Sequence, residues 1–319
     1  MIFCTIVFNN PVEINLLKLQ ASSFIKVDKN IIDKIYVFYN DNENTLSAFK
    51  EMFDKEIIDL YPNYLKHLIH VISLSDIDAT DLIPSTWFTQ QIVKIIISKI
   101  IPTKYYVVLD SKNHFINNVN KEYFFQDNKP ILYYNKIGDK MKSFYDNCFS
   151  YFQEFQTDNG CLMNKYSELR HNERNYNNNL LIETITPFLF ITDQCLNLIR
   201  EIEAKENICF KDFIKKERKY TEFYLYYSYL CFHDLDKLYF YKSDMIPVLT
   251  IGNKGPDKHS AIKHKLRKLQ KFNIKVISLH RKSFTTFDDN YKLNLFDLYT
   301  KYNEDINTLS LIKNMLNIN

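Results

Sequence analysis

The sequence predicts an α/β fold: a mostly parallel mixed sheet flanked by helices, with helical additions toward the C-terminus. Three features point to it. Short apolar runs alternate with helix-period segments over the first 110 residues, the pattern of strand–helix–strand crossovers. Those runs are near-continuous, as expected of strands covered on both faces. The chain has 319 residues, 46% hydrophobic and 25% charged, which is enough to bury such a core.

Residues 2–8 (IFCTIVF) read as the first strand, and 12–25 as a helix with Ile14, Leu17, Ala21 and Phe24 on one face. A second strand at 33–39 (DKIYVFY), a helix near 43–55, a third strand at 68–74 (LIHVISL), a helix at 86–100 and a fourth strand at 104–110 (KYYVVLD) follow. Beyond residue 110 the alternation loosens. A strand is expected at 130–135 (PILYYN), helices at 142–155, 192–205 and 220–232, and strands at 246–251 (IPVLTI) and 274–280 (IKVISLH). A polar stretch at 164–179, a basic helix at 257–272 and two terminal helical segments complete the pattern. With no internal repeat and no Pro/Ser-rich linker, a single domain over 1–319 is the economical reading.

Composition removes several function classes. Four glycines cannot write a G-x-G-x-x-G turn, a P-loop or a G-x-S-x-G elbow. A net charge of +3, from 41 Lys+Arg and 38 Asp+Glu, gives no bulk attraction to nucleic acid. Six scattered cysteines without a C-x-x-C pair suggest reduced thiols. The opening MIFCTIVFNN lacks a basic n-region and reads as a strand rather than a signal peptide. Lysines 94, 99 and 104 and Pro102 interrupt the longest apolar stretch, so it does not span a bilayer. A cytoplasmic location is the resulting expectation.

In an open parallel sheet, ligands lie beyond the carboxyl ends of the strands. The first two strands end at Asn9 and at Asn40-Asp41, residues that also serve simply as caps or turns. The fourth ends at Asp110, followed by Ser111, Lys112 and Asn113. A carboxylate there can hold a divalent cation or a ribose hydroxyl, and an ammonium two residues on can offset pyrophosphate charge. On the preceding helix, capped by Ser85 or Thr86, residues Trp87, Gln91 and Lys94 fall on one polar-aromatic stripe.

The strings STWFTQQIVKI and KYYVVLDSKNHFI together resemble a group of bacterial GT-A-type glycosyltransferases encoded in capsule or lipopolysaccharide loci. Their pattern is Gly/Ser-x-Trp-aromatic-x-Gln-Gln-x-x-Lys, then a strand ending in Leu-Asp-Ser/Ala-Asp/Lys. NKPILYYN, TPFLFITDQCLNLIREIE, YTEFYLYYSYL and VISLHR extend the likeness over about residues 80–285. The resemblance implies a GT-A-like (Rossmann-like) fold with a nucleotide-binding half at 1–115, an acceptor half at 116–285 and C-terminal helices at 286–319. It implies a nucleotide-sugar donor, a UDP-sugar first and a CMP-sugar second, and a carbohydrate or lipid-linked acceptor in surface-polysaccharide synthesis.

The resemblance also assigns roles. Asp110, Ser111, Lys112 and Asn113 would surround the diphosphate and ribose, Asn9, Asn40 or Asp41 the base, and Trp87, Gln91 and Lys94 the donor side. Lys112 stands where the family's Asp-x-Asp pair has its second acid. Either Asp110 recruits Mn²⁺ or Mg²⁺ with another ligand, or Lys112 and neighbouring bases replace the metal. Glu222 is the candidate base if the reaction inverts, or a helix-dipole partner otherwise. His280, with Arg281 beside it, is a metal or phosphate contact or a surface histidine. The basic segment 258–271 is a solvated face or a contact to anionic headgroups on the inner face of the plasma membrane. A nucleotidyltransferase acting on a sugar phosphate and a non-catalytic sugar-binding or assembly protein are the alternatives.

Overall fold

A computed structural model describes residues 1–84, 86–136, 139–153, 180–217, 219–242, 247–252, 273–281, 289–301 and 306–318. The expected polar stretch at 164–179 and the basic segment 258–271 lie outside the described residues.

The main sheet has five strands: β1 (Ile2–Val7), β2 (Lys34–Tyr39), β3 (Ile69–Ser73), β4 (Tyr105–Asp110) and, far along the chain, Phe188–Ile191. Their spatial order puts β3, β2, β1 and β4 side by side and parallel, with Phe188–Ile191 antiparallel on the outer edge of β4. The expected parallel sheet is therefore present, with an antiparallel edge strand that the residue pattern did not indicate. The chain runs outward from β1 through β2 to β3 and then returns to the other side of β1, so a switch point lies between β1 and β4.

Alternate residues of β1 feed two different cores. Ile2, Cys4 and Ile6 pack into one hydrophobic cluster and Phe3 and Val7 into another. Burial on both faces is why the strand reads as an unbroken apolar run. Helix α1 (Pro11–Ser23) covers the second face. The Asn10 side chain accepts from the Val12 amide, and Pro11 supplies the pre-set φ of a first helical residue. Helix α2 (Leu46–Glu56) adds Phe49 and Phe53 to that core. The first face is covered by α3 (Trp87–Ile96), whose cap is Thr86, accepting from the Thr89 amide at 3.0 Å.

After Asp110 the chain leaves the main sheet within two residues and enters β5 (Asn113–Phe115). This strand pairs antiparallel with Val276–Leu279, which pairs parallel with Val248–Ile251. The two late strands foreseen in the sequence thus build a second sheet. A third sheet joins β6 (Phe125–Gln126), β7 (Lys129–Lys136) and β8 (Leu180–Ile182) with Phe240–Lys242. Among the described residues the last four strands in chain order are β9 (Phe188–Ile191), β10 (Phe240–Lys242), β11 (Val248–Ile251) and β12 (Val276–Leu279).

Among the described residues the remaining α-helices are α4 (Lys121–Phe124), α5 (Asp139–Gln153), α6 (Thr192–Glu206), α7 (Phe210–Glu217), α8 (Glu222–Phe232), α9 (Asp289–Lys301) and α10 (Ile306–Leu316). Every residue of α8 from Glu222 to Cys231 is buried, as expected of a helix apolar on all sides. No helix among the described residues is long and apolar enough to cross a membrane.

Candidate functional site

A cavity of about 290 Å³ opens beyond the carboxyl end of β4. Trp87, Gln91 and Lys94 of α3, Asp110 and Lys112, and Glu222 at the start of α8 line it together. Gln90, Thr186, Thr221, Phe223, Thr250 and Ser278 complete much of the wall. A stripe read at helical spacing, an acid read at a strand end and an acid read on a distant helix therefore meet in one place.

Their charges form a chain. Lys112 Nζ donates to Asp110 Oδ2 at 2.8 Å, and Lys94 Nζ lies 3.3 Å from Asp110 Oδ1 and 3.0 Å from Glu222 Oε1. Lys94 and Glu222 are each 3% exposed and Asp110 9%, whereas the Lys112 side chain is 34% exposed and stands at the mouth. Gln90 Nε2 donates to Asp110 Oδ1 at 3.0 Å, and the Thr186 hydroxyl to Oδ2 at 3.1 Å. The Lys94 ammonium also sits 5.0 Å from the Phe223 ring centroid, a cation–π contact.

These neighbours set the protonation states. Burial alone would raise the Asp110 carboxyl, but the Lys112 and Lys94 charges outweigh it and hold the group below the usual carboxylate range. Burial would lower Lys94, and the charges of Asp110 and Glu222 reverse that, holding it above its ordinary value. For Glu222 burial prevails over Lys94, so its carboxyl is pushed up. Glu222 Oε2 has no partner among the described residues.

The site rests on a polar scaffold. Asn113 Oδ1 accepts the Asp110 amide at 2.8 Å, and its Nδ2 donates to the Thr186 carbonyl at 2.9 Å. Gln20 of α1 donates to the carbonyls of Asp110 and Asn113 at 2.9 and 2.8 Å and accepts from Thr5 at 2.7 Å. Asn113, read from the sequence as a ligand contact, is fully buried and spent on this scaffold. Ser111 is likewise buried and donates to Glu13 Oε2.

Other expected residues stand outside the cavity. Asn9 is exposed and its amide donates to Asp41 Oδ2 at 3.0 Å, while Asn40 is fully buried. The His280 amide donates to the Ile251 carbonyl at 3.0 Å, continuing the pairing of β11 with β12. Arg281 lies 3.5 Å from Glu13 and 5.7 Å from the Phe8 ring centroid, outside the wall of the cavity. Residues missed in the sequence include Gln90, Thr186, Thr221 and Ser278; a helical phase one residue off explains Gln90, and isolated hydroxyls carry no pattern.

Both Asp110 oxygens thus face ammonium groups, and among the described residues no group of three His, Cys, Asp or Glu lies together. This donor set does not fit a divalent cation at Asp110.

A mixed α/β sheet with a polar, charge-lined cavity beyond the carboxyl end of β4 defines the class of the molecule. The chain belongs to DUF6492, a family of unknown function, whose model matches residues 9–252. No curated protein matches it. Among solved structures it is similar to mouse xyloside xylosyltransferase 1, with 9% identity, a TM-score of 0.41 and coverage of 86% of this chain and 96% of that one. It is also similar to the glycosyltransferase GlyE of Streptococcus pneumoniae TIGR4, with 13% identity, a TM-score of 0.37, and 98% and 62% coverage. For the bifunctional glycosyltransferase WbbM the values are 15%, 0.43, and 98% and 51%. The chain spans less than two thirds of the GlyE and WbbM chains. Likeness at this level carries no statement about chemistry.

Proposed function

We propose that the chain is a glycosyltransferase of GT-A type that moves a sugar from a nucleotide-activated donor to a carbohydrate or lipid-linked acceptor in surface-polysaccharide synthesis. One observation carries the chemistry: a chain of four alternating charges runs inward from Lys112 and ends on Glu222, which lines the cavity and whose buried Oε2 has no partner among the described residues. The kind of sugar chemistry is supplied by the sequence resemblance around Trp87–Lys94 and Asp110–Lys112.

In this proposal Lys112, the most exposed of the four charges, meets the donor's diphosphate at the mouth. A cavity at the small end of the usual range accommodates the transferred ring, while the nucleoside extends outside. Glu222 Oε2 takes the acceptor's hydroxyl proton as the acceptor oxygen bonds the anomeric carbon. The bond from that carbon to the diphosphate oxygen breaks, and the nucleoside diphosphate leaves with the electron pair. Lys112, with Lys94 behind it, offsets the developing phosphate charge, so no step needs a metal. A nucleotidyltransferase would set an acid pair on a metal ion, and Asp110 faces two lysines instead.

Titration with UDP-, CMP- and GDP-linked sugars, followed by product analysis with wild type and Glu222→Gln, tests this. Binding of one donor class, turnover by wild type and a loss of about 100-fold or more in the variant with binding retained are expected. Failure of every donor to bind, or full turnover by Glu222→Gln, overturns it.

A further inference from the structure

The inner wall of the cavity carries information about which sugars enter. Glu222 Oε2, Thr221 Oγ1 and Ser278 Oγ are buried with no partner among the described residues, and all three residues line the same cavity. Thr221 is 3% exposed and Ser278 2%, and they arrive from separate elements, the residue preceding α8 and strand β12. Leaving a buried donor or acceptor unpaired costs about 1–3 kcal/mol. Three such atoms on one cavity mark a wall completed by a ligand.

Their chemistry restricts that ligand. Two hydroxyls both donate and accept, whereas a carboxylate oxygen only accepts, so the set matches a compound that presents several hydroxyl groups. A carboxylated ring would bring another negative charge against Glu222. The nearest compensating cation, Lys94, is already divided between Asp110 and Glu222.

We infer, taking the glycosyl-transfer reading as given, that this wall holds an uncharged polyhydroxylated ring, a neutral hexose or pentose rather than a uronic or sialic acid, with Ser278 and Thr221 as specificity-determining contacts. Neither residue carries a proton in the reaction, so their loss weakens recognition of the ring and leaves recognition of the diphosphate intact. Because their hydroxyls pair with none of the described residues, their loss does not lower stability either.

Calorimetric titration and saturation-transfer NMR with methyl pyranosides and the matching methyl uronosides test the assignment. Wild type is expected to bind at least one neutral pyranoside and to bind its uronoside at least tenfold more weakly. Ser278→Ala and Thr221→Val should each lose about tenfold in pyranoside affinity, with unchanged affinity for the nucleoside diphosphate and no fall in melting temperature. Equal affinity for uronosides, no binding by any pyranoside, or wild-type affinity in both variants overturns the assignment. Wild type that binds pyranosides in this manner yet transfers nothing from any donor refutes glycosyl transfer and leaves the ring specificity standing.

Discussion

Lys94 Nζ of α3 lies 3.0 Å from Glu222 Oε1 of α8, joining two residues 128 positions apart across the base of the cavity. The same nitrogen is 3.3 Å from Asp110 Oδ1 at the end of β4. One ammonium group therefore holds a strand end and a helix start in register.

Removing that ammonium strands the buried Glu222 carboxylate and leaves Asp110 with Lys112 as its one cation among the described residues. Lys94→Met is expected to lower stability by about 3–5 kcal/mol at neutral pH, read from urea or guanidinium unfolding. Adding Glu222→Gln should restore part of the loss, because the stranded charge is gone. Strict additivity of the two substitutions would show that the pair is not energetically coupled.

The sheet was legible where burial on both faces leaves an unbroken apolar run, as in β1 and β4, because a strand covered on both sides must be apolar at nearly every position. FLFI at Phe188–Ile191 is just such a run, yet it is only four residues long between Pro187 and the start of α6, too short to carry a period of its own. Strands of two or three residues, such as β5 and β6, have no period to detect. In the site, Asp110, Lys94 and Glu222 stood out because each is a charge in an apolar setting. Asn113 stood out by its place just after the fourth strand, but a polar residue there can face the backbone as readily as a ligand. Ser278 and Thr221 were invisible because only the cavity gives their hydroxyls meaning.

Asn113 supplies a test of scaffold against contact. Asn113→Ala strands the Asp110 amide and the Thr186 carbonyl, both buried, so a loss of about 2 kcal/mol is expected in denaturant unfolding. A variant of wild-type stability with reduced donor affinity would instead return Asn113 to the binding surface.

Charge balance at Asp110 predicts how donor binding responds to metal. With both carboxylate oxygens facing lysines, chelation by EDTA should leave donor affinity unchanged, while Lys112→Met should weaken it by about 10- to 100-fold. Affinity that appears only on adding Mn²⁺ would mean that Lys112 yields its place to a cation.

His114 of β5 should make one measurable contribution to acid sensitivity. Its ring stacks on Tyr299 of α9 with centroids 5.2 Å apart, and its Nε2 bonds the Tyr299 hydroxyl. Burial, with the Lys26 charge adding to it, pushes the imidazole from 6.5 down to about 3. Between those values the unfolded chain binds a proton that the native chain refuses, so stability rises with pH across the window, by about 1.4 kcal/mol per unit from this group. Carboxylates with raised values, Glu13, Glu183, Glu222 and Asp236, act in the opposite sense, so the informative quantity is a difference between two chains. His114→Gln has no proton to gain, and its amide oxygen can still accept from Tyr299. Unfolding free energies measured from pH 4 to pH 7 should therefore fall less steeply on acidification in the variant than in wild type. Parallel curves would mean that the imidazole is protonated equally in both states, and that Tyr299 does not anchor α9 through a neutral ring.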